Sequence, residues 1–193
     1  MVLNERNERS FMKIVAMDFE TATTNANSAC AIGMAMIQDG KLVDQQSFLI
    51  RPPSRHFEFT YIHGITWNHV KSSPTFSDLI PHINGFIDQA DYLAAHNAGF
   101  DRKVLYTCYG AAGHEPPRPP FICTVKLSRR TWKMRQNSLD VVCDRLNIPL
   151  KHHDHTSDAL ACAKIILASM DEGDTVDQGL MGPPSYTIRK RQA

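Results

Sequence analysis

Apolar positions recur along this chain in two rhythms, and the change of rhythm divides it. Residues 11–19 are dense in apolar and β-branched side chains and predict a strand entering the core. Residues 29–38 predict a second strand, ended by Asp39-Gly40, and residues 41–50 a third. Asp-Gly between two such runs signals a hairpin. The first third therefore predicts a meander, closed by Arg51-Pro52-Pro53. Helical spacing takes over in residues 74–89, where Phe76, Leu79, Ile80, Ile83 and Ile87 share a face and Pro81 is either tolerated or kinks the helix. Residues 91–95 predict a short strand, and 100–108 a helix followed by Gly110 and Gly113. After the stiff surface connection Pro116-Pro117-Arg118-Pro119-Pro120 comes a further strand over 121–124. Ser138 is the expected N-cap of a helix through Leu146, stopped by Pro149. Thr156 or Ser157 is expected to cap a last helix reaching about Met170. A meander followed by strands alternating with helices predicts an α/β domain: a mixed sheet of about five strands with helices on both faces.

Composition narrows this to one domain, expected over 11–171, after a polar extension at 1–10 and before a mobile tail at 172–193 that carries Arg189-Lys190-Arg191. With 193 residues, 42% of them hydrophobic, the chain can bury one sizeable core. Lys and Arg total 21 against 20 Asp and Glu, so no global basic field announces a polyanionic partner, and any nucleic-acid contact must be local. The 5 cysteines are scattered and never form Cys-x-x-Cys, which argues against a disulfide framework or zinc knuckle and for a reducing, cytoplasmic home. No stretch approaches the roughly 18 apolar residues of a membrane span, and residues 1–10 lack an apolar run suited to a signal peptide.

The candidate chemistry lies in separated acids: Asp18 and Glu20, Asp101, and Asp158, with His153 five positions before the last. Side chains alternate along a strand, so Asp18 and Glu20 share one face while Phe19 points into the opposite layer. Paired carboxylates near a core repel one another unless cations neutralise them, and hard oxygen donors suit Mg²⁺ or Mn²⁺. Each acid taken alone has a bland reading, as the solvent end of a strand or as charge at a helix N-terminus. The cluster His152, His153, Asp154 and His155 reads alone as a solvated loop, or with Cys162 as a zinc site for which no second thiol has the spacing. Together, the acids can hold two metals about 4 Å apart that clamp a phosphodiester, and a neutral histidine beside them can accept a proton from water.

The words around these acids resemble the DEDDh family of 3′→5′ exonucleases, the superfamily of proofreading subunits and ribonuclease T. They are Ile14-Val15-Ala16-Met17-Asp18-Phe19-Glu20-Thr21, His96-Asn97-Ala98-Gly99-Phe100-Asp101 with Leu105 beyond, and His153 through Asp158. Ile62-His63-Gly64-Ile65-Thr66, Ile122-Cys123-Thr124 and Asn137-Ser138-Leu139-Asp140 fall where similar family segments do, so the likeness covers about 11–170. It implies a ribonuclease H-like fold and stepwise hydrolysis at the 3′ ends of single-stranded DNA or RNA, releasing 5′-mononucleotides. It further implies two divalent cations, Mg²⁺ or Mn²⁺, held by Asp18, Glu20, Asp158 and, in part through water, Asp101. His153 would be the general base, since it alone of the three histidines has the family's spacing to Asp158. Thr21, Ala22, Glu58, His63 and Asn97 would contact the terminal nucleotide. A polymerase or repair partner fits the resemblance, and no oligomeric state follows from it.

Two departures touch the nucleotide pocket. Ala22-Thr23-Thr24-Asn25-Ala26-Asn27 replaces the usual Thr-Gly turn, and Ala31 stands where relatives often place an acid. The basic stretch of Lys126, Arg129, Arg130, Lys133 and Arg135 around Trp132 reads either as a path for a single strand or as a solvated helix face with a partly buried tryptophan. A non-catalytic nucleic-acid-binding or polymerase-associated subunit of the same fold, and an endonuclease of the broad fold, are the competing readings. Intact acids disfavour the first, because a binding module gains nothing from negative charge facing phosphates.

Overall fold

The computed structural model describes residues 12–183. A five-stranded sheet runs in the order β3-β2-β1-β4-β5, with β1 at Lys13–Thr21, β2 at Ala29–Gln38, β3 at Lys41–Leu49, β4 at Tyr92–Ala95 and β5 at Phe121–Cys123. β1 pairs antiparallel with β2 and β2 with β3, while β4 and β5 run parallel to β1. The predicted hairpin forms at Asp39 (φ 54°) and Gly40 (φ 72°), both left-handed as a tight turn between twisted strands requires.

Alternation along β1 separates two cores. Val15, Met17 and Phe19 join α3 (Phe76–Ile87) and α4 (Gly99–Ala111) on one face. Ile14 and Ala16 meet α5 (Thr124–Trp132) and α7 (His155–Asp171) on the other. Three further helices complete the described chain: α1 (Thr60–His63), α2 (Trp67–Val70) and α6 (Leu139–Leu146). Helix α3 absorbs Pro81 without ending. A proline inside a helix costs about 3 kcal/mol, whereas Phe76, Leu79, Ile80, Ile83, Phe86 and Ile87 are all buried, each contributing roughly 1.5–3 kcal/mol. Burial wins, and the Thr75/Asp78 capping box secures the helix start.

Three expectations need correcting. The last helix is capped neither by Thr156 nor by Ser157 but by Asp154, whose carboxylate accepts from the Ser157 N–H at 3.1 Å. The strand expected over 121–124 stops at Cys123, and Thr124 opens α5. Part of the segment expected to be a mobile tail packs on the domain. Val176 is buried in a 3₁₀ turn (Val176–Gly179), Leu180 bridges to Ile122, and the Met181 N–H donates to the Phe121 carbonyl at 2.8 Å. The Arg102 guanidinium also donates to the Gly182 carbonyl at 2.6 Å. The extension at 1–10 and the end of the tail at 184–193, with its Arg189-Lys190-Arg191 cluster, lie outside the described residues. Among the described residues no helix is long and apolar enough to cross a membrane.

Candidate active site

Asp18 and Glu20 leave β1 on the face covered by α7, as alternation requires, while Phe19 enters the opposite core. β4 pairs with β1 only as far as Ala16, so later N–H groups on that edge have no strand partner. The Phe19 N–H is taken instead by the Asp101 carboxylate at 3.0 Å. Asp101 reaches it from the first turn of α4, after a left-handed residue, Asn97 (φ 63°), turns the chain out of β4. Asp158 arrives from the first turn of α7. That turn lies directly on the sheet because β2 has no side chain at Gly33, the register partner of Asp18. A Cβ there would stand 2.0 Å from the His155 carbonyl oxygen. His153, itself left-handed at φ 64°, donates its N–H to Asp158 at 3.0 Å.

The four acids repel. Burial, then the charges of Asp101, Asp158 and Glu20, hold the Asp18 carboxyl well above its usual range. Burial followed by Asp158 and Asp101 pushes Glu20 to about 8. Burial raises Asp101 to about 7 against the N–H groups that hold it down, and raises Asp158 to about 6. One Asp158 oxygen, Oδ1, is buried without a hydrogen-bond partner. An orphaned carboxylate oxygen within a mutually repelling acid set suits hard divalent cations, which supply the missing charge and the missing partner together. Asp18, Glu20 and Asp158 line a cleft of about 410 Å³ that has no Lys or Arg in its walls, so the donor set fits a hard divalent cation.

A family model of the RNase T exonucleases matches residues 15–166. The chain belongs to that family. Among its relatives, exodeoxyribonuclease 10 of Escherichia coli K12 is 34% identical over 158 residues, covering 76% of this chain and 66% of that protein. The PolC-type DNA polymerase III of Thermotoga petrophila is 32% identical over 158 residues, covering 79% of this chain. The chain spans only 11% of that polymerase's length. Exonuclease X in complex with 5′ overhanging duplex DNA superposes with a TM-score of 0.69 at 28% identity, over 87% of this chain and 96% of that one. The nuclease domain of 3′hExo, a DEDDh family member bound to rAMP, shares the fold at a TM-score of 0.73 and 16% identity, over 84% of this chain and 94% of that one.

Of the five residues expected around the terminal nucleotide, Asn97 lines the acid cleft. The other four form one bonded group just beyond Glu20. Thr21 and Ala22 are buried, and the Ala22 carbonyl accepts from the N–H groups of Glu58 at 2.7 Å and Phe59 at 3.2 Å. His63 Nδ1 accepts from the Ile65 N–H at 3.0 Å, so its proton is on Nε2, which donates to the Thr21 carbonyl at 3.2 Å. The Glu58 carboxylate faces the Thr24 N–H at 3.4 Å and His56 at 3.2 Å.

His153 is exposed, and its imidazole is held below the ordinary value by partial burial and by His152. The two rings stack, with centroids 4.0 Å apart. His152, set aside by spacing, nonetheless lines the cleft, and the donor atoms of His152, His153 and Asp158 lie within 4.8 Å of one another. Cys162 takes no part in that group and is buried against Thr124. Sequence reasoning also passed over His96 and Phe100, although both sit inside the second motif. His96 spans from Thr124 Oγ1 at 2.8 Å to the Asn137 carbonyl at 2.9 Å, fixing the cleft wall, and Phe100 presents an exposed ring at its rim. Trp132 packs against the cluster of Leu139, Val142 and Ile165, as a partly buried tryptophan on a helix, while Arg129, Arg130, Lys133 and Arg135 stay exposed.

Proposed function

We propose that this chain hydrolyses phosphodiester bonds stepwise from the 3′ end of single-stranded DNA, releasing 5′-mononucleotides, with Asp18, Glu20 and Asp158 holding two divalent cations and Asp101 completing the set. The observation that carries this reading is the convergence of four mutually repelling carboxylates, one with an orphaned oxygen, three of which line a cleft without a lysine or arginine while Asp101 lies buried behind them. Ions held by Asp18, Glu20 and Asp158 would supply positive charge to polarise the phosphate, lower the pKa of a water and offset charge on the departing oxygen.

The chain's own residues do the rest. His153 is neutral at pH 7 and accepts the proton of the attacking water, while Asp158 fixes its main chain through the 3.0 Å hydrogen bond. The Phe100 ring offers a face to the terminal base. Asn97 and the bonded group of Thr21, Ala22, Glu58 and His63 bound the space beside Glu20 where the last nucleotide lies. DNA is favoured over RNA by the kinship with an exodeoxyribonuclease and with DNA polymerase III proteins, which also supports a polymerase or repair partner. The five cysteines are all free and buried, in keeping with a reducing cytoplasmic setting.

The test is incubation with 5′-labelled single-stranded DNA and RNA in Mg²⁺, Mn²⁺ or EDTA. The expected result is a ladder shortening from the 3′ end only with metal, faster on DNA, lost in Asp18→Ala and blocked by a 3′-phosphate. Metal-independent cutting, or internal cleavage as the first event, sinks the proposal.

A further inference from the structure

A second cavity, of about 860 Å³, opens at the same end of the sheet as the acids but on its other face, where Ala29, Ile50, Phe76 and Cys108 of the α3/α4 core form part of its wall. Arg51, Arg55 and Lys71 line it, and no Asp or Glu does. All three cations are exposed, and the Arg55 guanidinium carbon sits 5.3 Å from the centre of the Trp67 ring. The Arg51 main chain is fixed by a 2.9 Å hydrogen bond from its N–H to the Pro74 carbonyl, and the cavity wall includes Thr75 and Ser77 at the start of α3. Asp78, the acid whose carboxyl Arg51 helps to hold down, is turned to Thr75 in the capping box.

The two cavities are electrostatic opposites. The acid cleft has no Lys or Arg in its walls, so it cannot by itself attract a polyanion. With a net charge of only +1, the chain has no general field to do so either. A strand must be held by local cations, and a cavity carrying three of them without a lining acid is suited to phosphates. The cavities are also close along the chain. Thr21, directly after Glu20, pairs with Ala29, which lines the basic cavity, and Arg51 follows the end of β3. β1 and β3 stand two strand spacings apart, about 10 Å. A single strand whose 3′ end lies over Asp18 reaches the cavity by passing round the ends of β1 and β2 to the other face of the sheet.

We propose that this Arg51–Arg55–Lys71 cavity is a second nucleic-acid site, gripping phosphates upstream of the 3′-terminal nucleotide. The inference rests on the exonuclease reading above for the direction of the strand. The Arg55–Trp67 pair adds a flat cationic surface on which a base or sugar can lie.

The test compares wild type with Arg51→Glu/Arg55→Glu/Lys71→Glu, and with the milder Arg51→Gln/Lys71→Gln in case charge reversal disturbs folding. Binding of 5′-labelled oligo(dT) of about 20 nucleotides is followed by fluorescence anisotropy in EDTA across a salt series, which needs no turnover. KM and kcat are then measured in Mg²⁺ on the same oligomer and on the p-nitrophenyl ester of thymidine 5′-monophosphate, which is too short to reach the cavity. The reversed variant should weaken oligomer binding at least tenfold and flatten the salt slope by about 2, as loss of three phosphate contacts requires. KM on the oligomer should rise with kcat little changed, while hydrolysis of the ester is retained. Unchanged oligomer affinity and salt slope overturn the proposal and leave an acidic protein segment as the occupant. An equal loss on the ester overturns it too, because the cations would then act at the acid site. Oligomer binding that depends on the three cations, without any hydrolysis, refutes the exonuclease reading while keeping the site.

Discussion

Replacing Gly33 by alanine separates what the sequence suggests from what the structure requires. By propensity the change should help: φ at Gly33 lies outside the left-handed region, and removing a glycine from an extended segment gains about 0.4–1 kcal/mol through the unfolded chain. The packing says otherwise. The added Cβ meets three backbone atoms of the α7 start, at 2.0 Å from the His155 oxygen, 2.5 Å from its carbon and 2.9 Å from the Thr156 nitrogen. No rotamer relieves a clash with backbone. To reach an ordinary 3.4 Å contact, helix and sheet must part by about 1.4 Å, and overpacking of this kind costs roughly 1–3 kcal/mol.

The net stability loss is then about 1–2 kcal/mol, a fall in Tm of several degrees for a domain of this size. Activity should suffer more. Asp158 and His153 move with α7, whereas Asp18 and Glu20 stay on β1, and a misplacement of about 1 Å costs on the order of 100-fold in rate. The assay is kcat on single-stranded DNA in saturating Mg²⁺, together with thermal unfolding in EDTA. Gly85→Ala in α3 is the control, since a Cβ there meets nothing within 4 Å; it should raise Tm slightly and leave kcat alone. A Gly33→Ala enzyme with wild-type kcat and undiminished Tm would refute the claim that this contact sets the acid spacing.

Other consequences are equally direct. Asp18→Asn should abolish hydrolysis yet raise Tm in EDTA at pH 8, because it removes a charge that burial and three neighbouring carboxylates oppose; a lower Tm contradicts that account. The metal-free protein should lose stability with rising pH. Folded values of about 6, 7 and 8 for Asp158, Asp101 and Glu20 exceed the unfolded 3.8, 3.8 and 4.5, so their contribution is complete below about pH 4 and fades as pH climbs through those values. Added Mg²⁺ should restore more stability at pH 8.5 than at pH 5.5, and unfolding curves with equal shifts at both would disprove the coupling. His153→Ala should lower kcat by roughly 100- to 10,000-fold and erase the acid limb of the pH–rate profile, which in wild type lies below 6.5; persistence of that limb assigns the base elsewhere. Arg102→Ala removes the guanidinium that holds the Gly182 carbonyl and should expose residues 176–183 to limited proteolysis, an effect absent if the 3₁₀ turn and the Leu180 bridge suffice.

The parts of this protein written in local code were legible. Asp39-Gly40 announces its turn because few other dipeptides accept left-handed backbone at both positions, and the period-2 run of β1 places Asp18 and Glu20 on one face without reference to anything distant. The acid set was readable because each acid lies within a word of several residues. What failed was decided by tertiary partners. Asp154 outcompetes Thr156 and Ser157 as the cap because Lys151 holds it in place at 2.9 Å and the chain arrives extended at that residue. Residues 176–183 read as tail because the sequence beyond Asp171 turns to Gly, Pro and Lys/Arg, yet they dock through the buried Val176, a main-chain bond to Phe121 and Arg102, which no periodicity records. His152 was set aside by spacing along the chain, but stacking on His153 is a matter of space.

The distribution of charge follows from what the acids must bind. A lysine or arginine in the acid cleft would pair with a carboxylate, and at about 4 Å such a pair is worth up to roughly 4 kcal/mol at an effective dielectric of 20. It would pull the raised carboxyls down and satisfy the orphaned Asp158 oxygen, leaving less for a divalent cation to gain. A site that works through metals, as proposed above, is therefore best served with its cationic side chains held away, although the polyanion proposed as its substrate needs them. This end of the sheet meets both demands. The Thr21 to Ser28 turn, closed by the 2.8 Å bond from the Ala22 N–H to the Ser28 carbonyl, stands between the acids on β1 and the wall that carries Arg51, Arg55 and Lys71. Moving one of those cations across that turn, as in Asn97→Lys at the rim of the cleft, should strengthen DNA binding in EDTA and weaken the response of activity to Mg²⁺. If Asn97→Lys instead leaves the Mg²⁺ dependence of the rate unchanged, competition between cationic side chains and metal is not what keeps the cleft free of them.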